Sequence, residues 1–136
     1  MNELSLSVVL DAPAQEVWAL VGDFGALADW HPWVPNCSLS DDGLTRTIDL
    51  GSTAAIERLL PEATQSLSHS YVIIDSPMPI ANYRATWKAS PTPTGCRVTW
   101  TATFEPLDEN AELMLTAFVK QAFDSLKQRF RSKNGD

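Results

Sequence analysis

Apolar and polar positions alternate in short segments over most of the chain, and they follow a helical period near its end. The segment from Leu4 to Leu10 has an apolar residue at every second position, which is typical of a strand with one buried face. Between residues 108 and 131, apolar residues recur every three or four positions, which predicts a long helix with an apolar stripe toward the sheet. The stripe consists of Leu115, Phe118, Val119, Ala122, Phe123, Leu126 and Phe130. Asp108 is a suitable N-cap for this helix.

Two short helices are predicted within residues 13–30. Asp11 supplies a capping carboxylate for the first helix, and Pro13 fits its first turn. Gly22 ends the first helix. The second helix ends before Pro32, because the residue that precedes a proline avoids the helical region. The first strand is therefore followed at once by a helical pair.

The middle of the chain reads as a series of strands separated by short turns rich in Gly, Pro, Asp and Ser. These strands are predicted at 33–40, 44–50, 54–60, 66–74, 80–90 and 97–104. Short turns between closely spaced strands favour antiparallel pairing. The element order predicts an α+β fold: a seven-stranded antiparallel sheet curled around the long C-terminal helix, with two short helices between strands 1 and 2. A hollow is expected between sheet and helix.

Composition narrows the class of protein. A chain of 136 residues fits one domain, 1–136, and 44% hydrophobic with 20% charged residues argues against disorder. The formal net charge of −7 argues against nucleic acid as a partner, since that binding needs clustered Lys and Arg. No apolar run approaches the ~20 residues that span a bilayer. With no secretory signal evident, Cys37 and Cys96 are expected to be reduced thiols, and the protein is expected in the cytoplasm.

Several short motifs accompany this element order. They are Ala12-Pro13, Val17-Trp18, Gly22-Asp23-Phe24, Trp30-His31-Pro32, Arg46-Thr47, Glu57-Arg58-Leu59-Leu60 and Asn82-Tyr83-Arg84. On these residues the chain resembles the START/Bet v 1-like (SRPBCC) helix-grip superfamily, and within it the polyketide cyclase/dehydrase and lipid-transport group of small bacterial proteins. The resemblance covers about residues 4–131. It implies an internal cavity for a lipid, sterol, polyketide or hormone, and in some members a cyclisation or dehydration. The loop at 40–43 lacks the glycine-rich sequence of the plant allergen and hormone-binding branch.

Aromatic residues are candidates for the wall of such a cavity. Tyr83 and Trp87 share one face of their predicted strand, and Trp100 lies on the apolar face of the next strand. Trp30 in the second helix and Phe118 in the long helix are further candidates. Each ring could equally fill the core, so the pattern leaves both roles open.

Arg46 is the most informative polar position, because it alternates with apolar residues and is therefore expected on the inward face of its strand. A buried guanidinium needs a partner, and the resemblance favours Glu57 over Arg58 as the inward residue of the neighbouring strand. Two interpretations remain open. The pair is either a closed salt bridge, or Arg46 orients a carboxylate, carbonyl or hydroxyl of a ligand. We favour ligand contact, because Arg46 lies among apolar inward positions in a chain that resembles pocket proteins.

His69 and Tyr71 share the parity of one predicted strand and could both face the hollow. His69 would then be a weak acid or base near neutral pH, although a lone histidine is more often structural. The same structural role is expected of His31. No His, Cys, Asp or Glu cluster has metal-ligand spacing, and no nucleotide-binding loop is present. Neither a metal nor a cofactor is expected.

The leading hypothesis for function is a binding protein, as a monomer or homodimer, for a small hydrophobic or polyketide-like ligand. Arg46, Glu57, Tyr71 and Tyr83 would be its polar anchors. The alternative is a polyketide cyclase or dehydratase that uses the same cavity, with Arg46 stabilising an oxyanion. A third hypothesis is a protein-interaction module with an acidic surface. The entrance is predicted near the second helix and the loop at 76–79.

Overall fold

The computed structural model describes residues 1–131, and within them seven strands form one antiparallel sheet. The strands are β1 (Asn2–Leu10), β2 (Asn36–Leu39), β3 (Thr45–Asp49), β4 (Ala54–Leu59), β5 (Ser68–Asp75), β6 (Ile80–Thr92) and β7 (Gly95–Pro106). Their order across the sheet is β1-β7-β6-β5-β4-β3-β2, so β1 and β2 form its two edges. The predicted α+β helix-grip architecture is confirmed. Residues 132–136 of the predicted domain lie outside the described residues.

Helices α1 (Ala14–Val21) and α2 (Leu27–Trp30) lie between the two edge strands in the chain, and α3 (Ala111–Arg129) follows β7. A short 3₁₀ turn, Pro61–Ala63, joins β4 to β5. The order and type of the elements are those predicted. Strand β2 is shorter than the predicted segment 33–40, because a backbone hydrogen bond from Val34 to the carbonyl of His31 folds the start of that segment into a turn.

Both predicted helix caps are wrong. Helix α1 begins after Pro13 and has no side-chain cap, since Asp11 lies too far upstream to reach the first free N–H groups. Helix α3 begins after Asn110, also without a side-chain cap. The carboxylate of Asp108 instead accepts a hydrogen bond of 2.7 Å from the backbone N–H of Asn110. Asp108 therefore closes the turn that precedes the helix.

The sheet is curved at two irregularities in its pairing. One shift of register lies between Ile56 and Glu57 in β4, and another between Ala81 and Arg84 in β6. Asn82, inside the second irregularity, has a φ of 52°, which belongs to the left-handed region that asparagine tolerates well. Bulges of this kind increase local twist and bend. The bent sheet leaves room for a cavity under α3.

Helix α3 covers the concave face of the sheet with its apolar stripe. Leu115, Val119, Ala122 and Leu126 are buried, as the helical period predicts. Phe118 and Phe130 of the predicted stripe are only partly buried. The largest fully buried side chains are Trp100, Phe104, Leu126, Val17, Val98 and Cys96.

Helix α2 is a single turn and is held in place by side chains of α3. The Nη2 of Arg129 donates a hydrogen bond of 2.8 Å to the carbonyl of Asp29. The hydroxyl of Ser125 donates to the carbonyl of Trp30. These bonds satisfy carbonyls that the end of a helix leaves without intrahelical donors. These contacts hold α2 against α3.

Candidate functional site

A cavity lies between the curved sheet, the helical pair and α3. Apolar side chains from each of these elements form most of its wall, among them Leu27 of α2, Ile48 of β3, and Leu115 and Val119 of α3. Its free volume is about 50 Å³. A cavity of this size holds a few water molecules but is smaller than the ~300–1,000 Å³ typical of ligand pockets. A ring-sized ligand therefore needs more space than this conformation gives.

Most of the predicted site residues meet at this cavity. The wall includes Trp30, Arg46, Glu57, Tyr71, Tyr83, Trp87, Trp100 and Phe118. His69, which shares strand β5 with Tyr71, does not line it. Parity along β5 correctly indicated a buried face for His69, which is 3% exposed, but that part of the face is covered by other side chains.

Arg46 and Glu57 form a closed, buried ion pair in the wall. They are directly opposite each other on β3 and β4, and the inward position of Glu57 settles the ambiguous parity of β4. Nε of Arg46 donates to Oε1 of Glu57 at 2.8 Å, and Nη2 lies 2.6 Å from the same oxygen. Nη1 donates to the carbonyl of Phe24 at 3.0 Å. This geometry supports the interpretation of Arg46 and Glu57 as a closed salt bridge. It does not support the interpretation that we favoured from the sequence, in which Arg46 orients a ligand.

The surroundings of the pair stabilise its charges unequally. The guanidinium carbon of Arg46 lies 4.1 Å from the ring centre of Phe24 and 5.0 Å from that of Tyr71, within the range of cation–π contacts. Burial alone would lower the pKa of Arg46, but the Glu57 carboxylate and the Tyr71 phenol raise it above its usual range. Burial raises the pKa of Glu57, and the Arg46 guanidinium offsets part of that rise. The guanidinium stays charged, and Glu57 is the partner whose pKa moves toward neutral.

Two phenols and two indoles form a second polar cluster. Nε1 of Trp87 donates to the hydroxyl of Tyr71 at 3.3 Å, and the ring centres of Tyr71 and Tyr83 are 6.1 Å apart. The Tyr83 hydroxyl interacts with the side chains of Tyr71 and Trp100. Burial raises the pKa of Tyr71 and raises that of Tyr83 well above its usual range. Both phenols are therefore neutral hydrogen-bonding groups near pH 7.

Trp30 differs from the other two tryptophans of the wall. Its side chain is buried and packs edge-on against Trp87, with ring centres 5.8 Å apart at 89°. Its Nε1 is buried and finds no hydrogen-bond acceptor among residues 1–131. A buried N–H without an acceptor costs roughly 1–3 kcal/mol, so buried donors are normally paired.

His31, for which the sequence predicts a structural role, lines the cavity. Its Nδ1 accepts a 3.1 Å hydrogen bond from the backbone N–H of Trp33, so the proton belongs on Nε2. Nε2 then donates to the carbonyl of Phe118 at 2.8 Å, and the two rings stack with centres 4.0 Å apart. Burial lowers the pKa of His31, although its backbone contacts favour the charged form. The sequence signals for His31 were its place directly after α2 and its membership of the Trp30-His31-Pro32 motif.

His69 lies beside the cavity, under the helical pair. Its ring centre is 5.2 Å from that of Trp18 and 5.8 Å from that of Phe24. Burial and the nearby charge of Arg46 lower the pKa of His69 to about 4. The imidazole is therefore neutral at physiological pH, which is poorly suited to the predicted acid/base role.

An open apolar groove adjoins the cavity. Its walls come from the 76–79 loop, from α3 and from Trp33, and its free volume is about 420 Å³. Leu50, Met78 and Phe118 line both the groove and the cavity. The predicted entrance beside 76–79 coincides with this groove, but α3 forms the opposite wall rather than α2. Cavity and groove thus share three apolar wall residues.

Residues 1–131 contain neither a metal-type cluster nor a membrane-spanning helix. No group of three or more His, Cys, Asp or Glu side chains there is arranged to hold a metal ion. None of the helices in that part of the chain has the length and apolar character needed to cross a membrane.

Comparisons with known proteins agree with this architecture. The sequence profile of the family described as "Polyketide cyclase / dehydrase and lipid transport" matches residues 1–131. A search of curated proteins gave no match. Among solved structures, the protein XoxI from Bacillus cereus is similar, with 26% identity, a TM-score of 0.89 and coverage of 96% of each chain.

Two more distant structures share the fold. A START superfamily protein from Mycobacterium smegmatis has 14% identity and a TM-score of 0.72, over 96% of this chain and 97% of that one. The di-domain ARO/CYC protein BexL, from the BE-7585A biosynthetic pathway, has 19% identity and a TM-score of 0.76. That alignment covers 94% of this chain and 46% of BexL. At these identities, the likeness is one of fold.

Proposed function

Because the chain belongs to the polyketide cyclase / dehydrase and lipid transport family, we propose that it binds a small hydrophobic or aromatic ligand in the cavity between the sheet and α3. The observation that carries the proposal is the wall itself. It is mostly apolar and aromatic, with a few polar groups that converge on one space, as in small-molecule sites generally. The proposed polar anchors are the Arg46–Glu57 pair and the phenols of Tyr71 and Tyr83.

Ligand entry is proposed to join the cavity to the outer groove. Phe118 and Met78 are partly buried side chains of the shared wall, so rotation of their side chains would connect the two spaces without moving a strand. The joined space would fall in the range of ordinary ligand pockets. The bonds from α3 to α2 favour side-chain rotation over a swing of α3, because a swing would break them together.

Catalysis of a cyclase or dehydratase type is a second candidate, and Glu57 is the observation that favours it. General acid–base catalysis works best when a pKa lies near the working pH, and burial moves the pKa of Glu57 in that direction. The other candidates fit poorly: His69 is outside the wall, both nitrogens of His31 are engaged, and the phenol pKa values are raised. Binding is therefore the better-supported proposal.

A cavity-filling variant tests the binding site. Ala55 lines the cavity from β4, whereas its neighbour Ala54 is exposed. We expect ethylbenzene, followed by isothermal titration calorimetry, to bind the natural protein and the Ala54→Leu control but not Ala55→Leu. Thermal unfolding should show that Ala55→Leu remains folded, because the added atoms occupy empty space. Unchanged binding by Ala55→Leu, or no binding by the natural protein, would contradict the proposed site.

Native mass spectrometry of the purified protein distinguishes ligand binding and transport from catalysis. A co-purified apolar molecule of defined mass supports binding and transport. If that molecule is converted on incubation, and Glu57→Gln binds it without converting it, the catalytic candidate replaces the binding proposal.

A cytoplasmic location and a monomeric or homodimeric state remain part of the proposal.

A further inference from the structure

Three tryptophans line the cavity, and their indole N–H groups differ in whether they have a hydrogen-bond partner within the protein. Nε1 of Trp87 donates to the Tyr71 hydroxyl, and the Trp100 side chain interacts with the Tyr83 hydroxyl. Nε1 of Trp30 is buried with no acceptor among residues 1–131. The residue is only 5% exposed, so bulk solvent does not replace the missing acceptor. A donor of this kind is costly to the empty protein, and a ligand oxygen that reached it would satisfy it.

The charges of the cavity are already matched inside the protein. The guanidinium of Arg46 uses Nε and Nη2 on Glu57 and Nη1 on the carbonyl of Phe24. His31 is neutral, because its Nδ1 accepts a hydrogen bond while Nε2 donates one. Among the cavity-lining residues that the structure describes, a ligand carboxylate would therefore meet no free cation, and it would lie near the carboxylate of Glu57. Burying a charge without a partner is strongly unfavourable.

From these two observations we propose that Trp30 Nε1 donates a hydrogen bond to a carbonyl or hydroxyl oxygen of an uncharged aromatic ligand, and that the cavity discriminates against carboxylates. The inference rests on the proposed binding function and adds the polar chemistry of the ligand. Trp30 is the specificity residue, since an oxygen acceptor satisfies its N–H and a hydrocarbon does not. Arg46 and Glu57 act in this scheme as a neutral unit of the wall.

Three probes of similar shape separate the contributions: ethylbenzene, acetophenone and benzoate. Acetophenone adds one acceptor oxygen to the ethylbenzene shape, and benzoate adds a charge. We expect the ratio of acetophenone to ethylbenzene affinity, measured by calorimetry, to fall about tenfold in Trp30→Phe, the upper range for a neutral hydrogen bond. Trp87→Phe is the matched control. Its N–H already has a partner inside the protein, so it should change both affinities and leave their ratio the same.

Benzoate should bind the natural protein at least a hundredfold more weakly than acetophenone at pH 7.5. Because Trp30→Phe removes a large buried ring, a second measurement avoids the variant altogether. In a ¹H–¹⁵N spectrum of the natural protein, the Trp30 indole signal should move downfield with acetophenone and not with ethylbenzene.

The outcomes distinguish the two proposals. If ethylbenzene binds and the affinity ratio is the same in Trp30→Phe, the role of Trp30 is wrong and the binding site stands. An equal shift of the Trp30 indole signal with both probes would likewise contradict the role of Trp30 alone. If benzoate binds as tightly as acetophenone, the discrimination against carboxylates is wrong. If none of the probes binds, the proposed function and this inference both fail.

Discussion

Replacement of Arg46 by methionine tests how the buried ion pair contributes to the fold. The substitution removes the hydrogen bond from Nε and the ion-pair contact from Nη2 to Oε1 of Glu57, together with the donor to the carbonyl of Phe24. It leaves a carboxylate in a wall residue that is 6% exposed. Breaking a buried pair in this way typically costs about 3–5 kcal/mol. We expect Arg46→Met to lower the free energy of unfolding by that amount, measured by urea denaturation with tryptophan fluorescence.

The double variant and a surface control make the measurement specific. Arg46→Met combined with Glu57→Leu removes both charges, so we expect it to be more stable than Arg46→Met alone, with a remaining cost of about 1–3 kcal/mol from the unpaired carbonyl of Phe24. Arg58 lies next to Glu57 on β4 and is exposed, so Arg58→Met should change the stability by less than about 1 kcal/mol.

The pH dependence of the same variant gives an independent check. Without the guanidinium, the pKa of Glu57 in the folded protein rises further above its unfolded value. A carboxyl group with a raised folded pKa favours the folded state at low pH and loses that effect as pH rises through the folded pKa. The cost of Arg46→Met should therefore be smaller at pH 5 than at pH 8. A cost below about 1 kcal/mol at pH 8, or a double variant less stable than the single one, would refute this account of the pair.

Other substitutions probe the histidine, the shared wall and the unpaired indole. Since the pKa of His69 is lowered to about 4, the unfolded protein takes up this proton first as pH falls from 6.5, so up to about 3 kcal/mol of stability should be lost by pH 4. Urea unfolding of His69→Phe should show a shallower pH dependence, and an unchanged slope would contradict the assignment. Phe118→Ala should speed association of ethylbenzene in stopped-flow fluorescence; an unchanged rate would argue against entry through the groove. In the absence of ligand, Trp30→Phe should destabilise less than Trp87→Phe by thermal unfolding, because it removes a donor that has no acceptor within the described part of the chain. The reverse order would show that the Trp30 N–H is satisfied.

Local patterns in the sequence predicted the fold and many wall residues because strand parity and helical period are properties of neighbouring residues. Alternation identified Arg46 as inward, and the same reasoning identified Tyr83, Trp87 and Trp100 on the concave face. Strand parity left Glu57 and Arg58 as alternative inward residues of β4, and the family resemblance favoured Glu57, which lies opposite Arg46 in the sheet.

Features that depend on distant parts of the chain could not be predicted in this way. His31 bonds to the carbonyl of Phe118, and no local pattern connects two residues so far apart. Parity gave the buried face of His69 but not the aromatic rings of Trp18 and Phe24 that cover it. Whether the N–H of Trp30 finds an acceptor depends on where every polar atom around it lies. It becomes visible only when every element is in place.

The strand order has a consequence for how the protein is made. Edge strand β1 precedes the other six described strands in the chain, yet its partner in the sheet is β7, with Asn2 opposite Phe104. Strands β2 to β7 pair with neighbours in sequence, whereas the β1–β7 ladder closes a loop over most of the chain and is entropically expensive to form early. On the ribosome, β1 must wait with its apolar face unpaired until β7 has emerged. Chaperone contact during synthesis is therefore expected to concentrate on β1, and chains truncated before β7 should aggregate rather than fold.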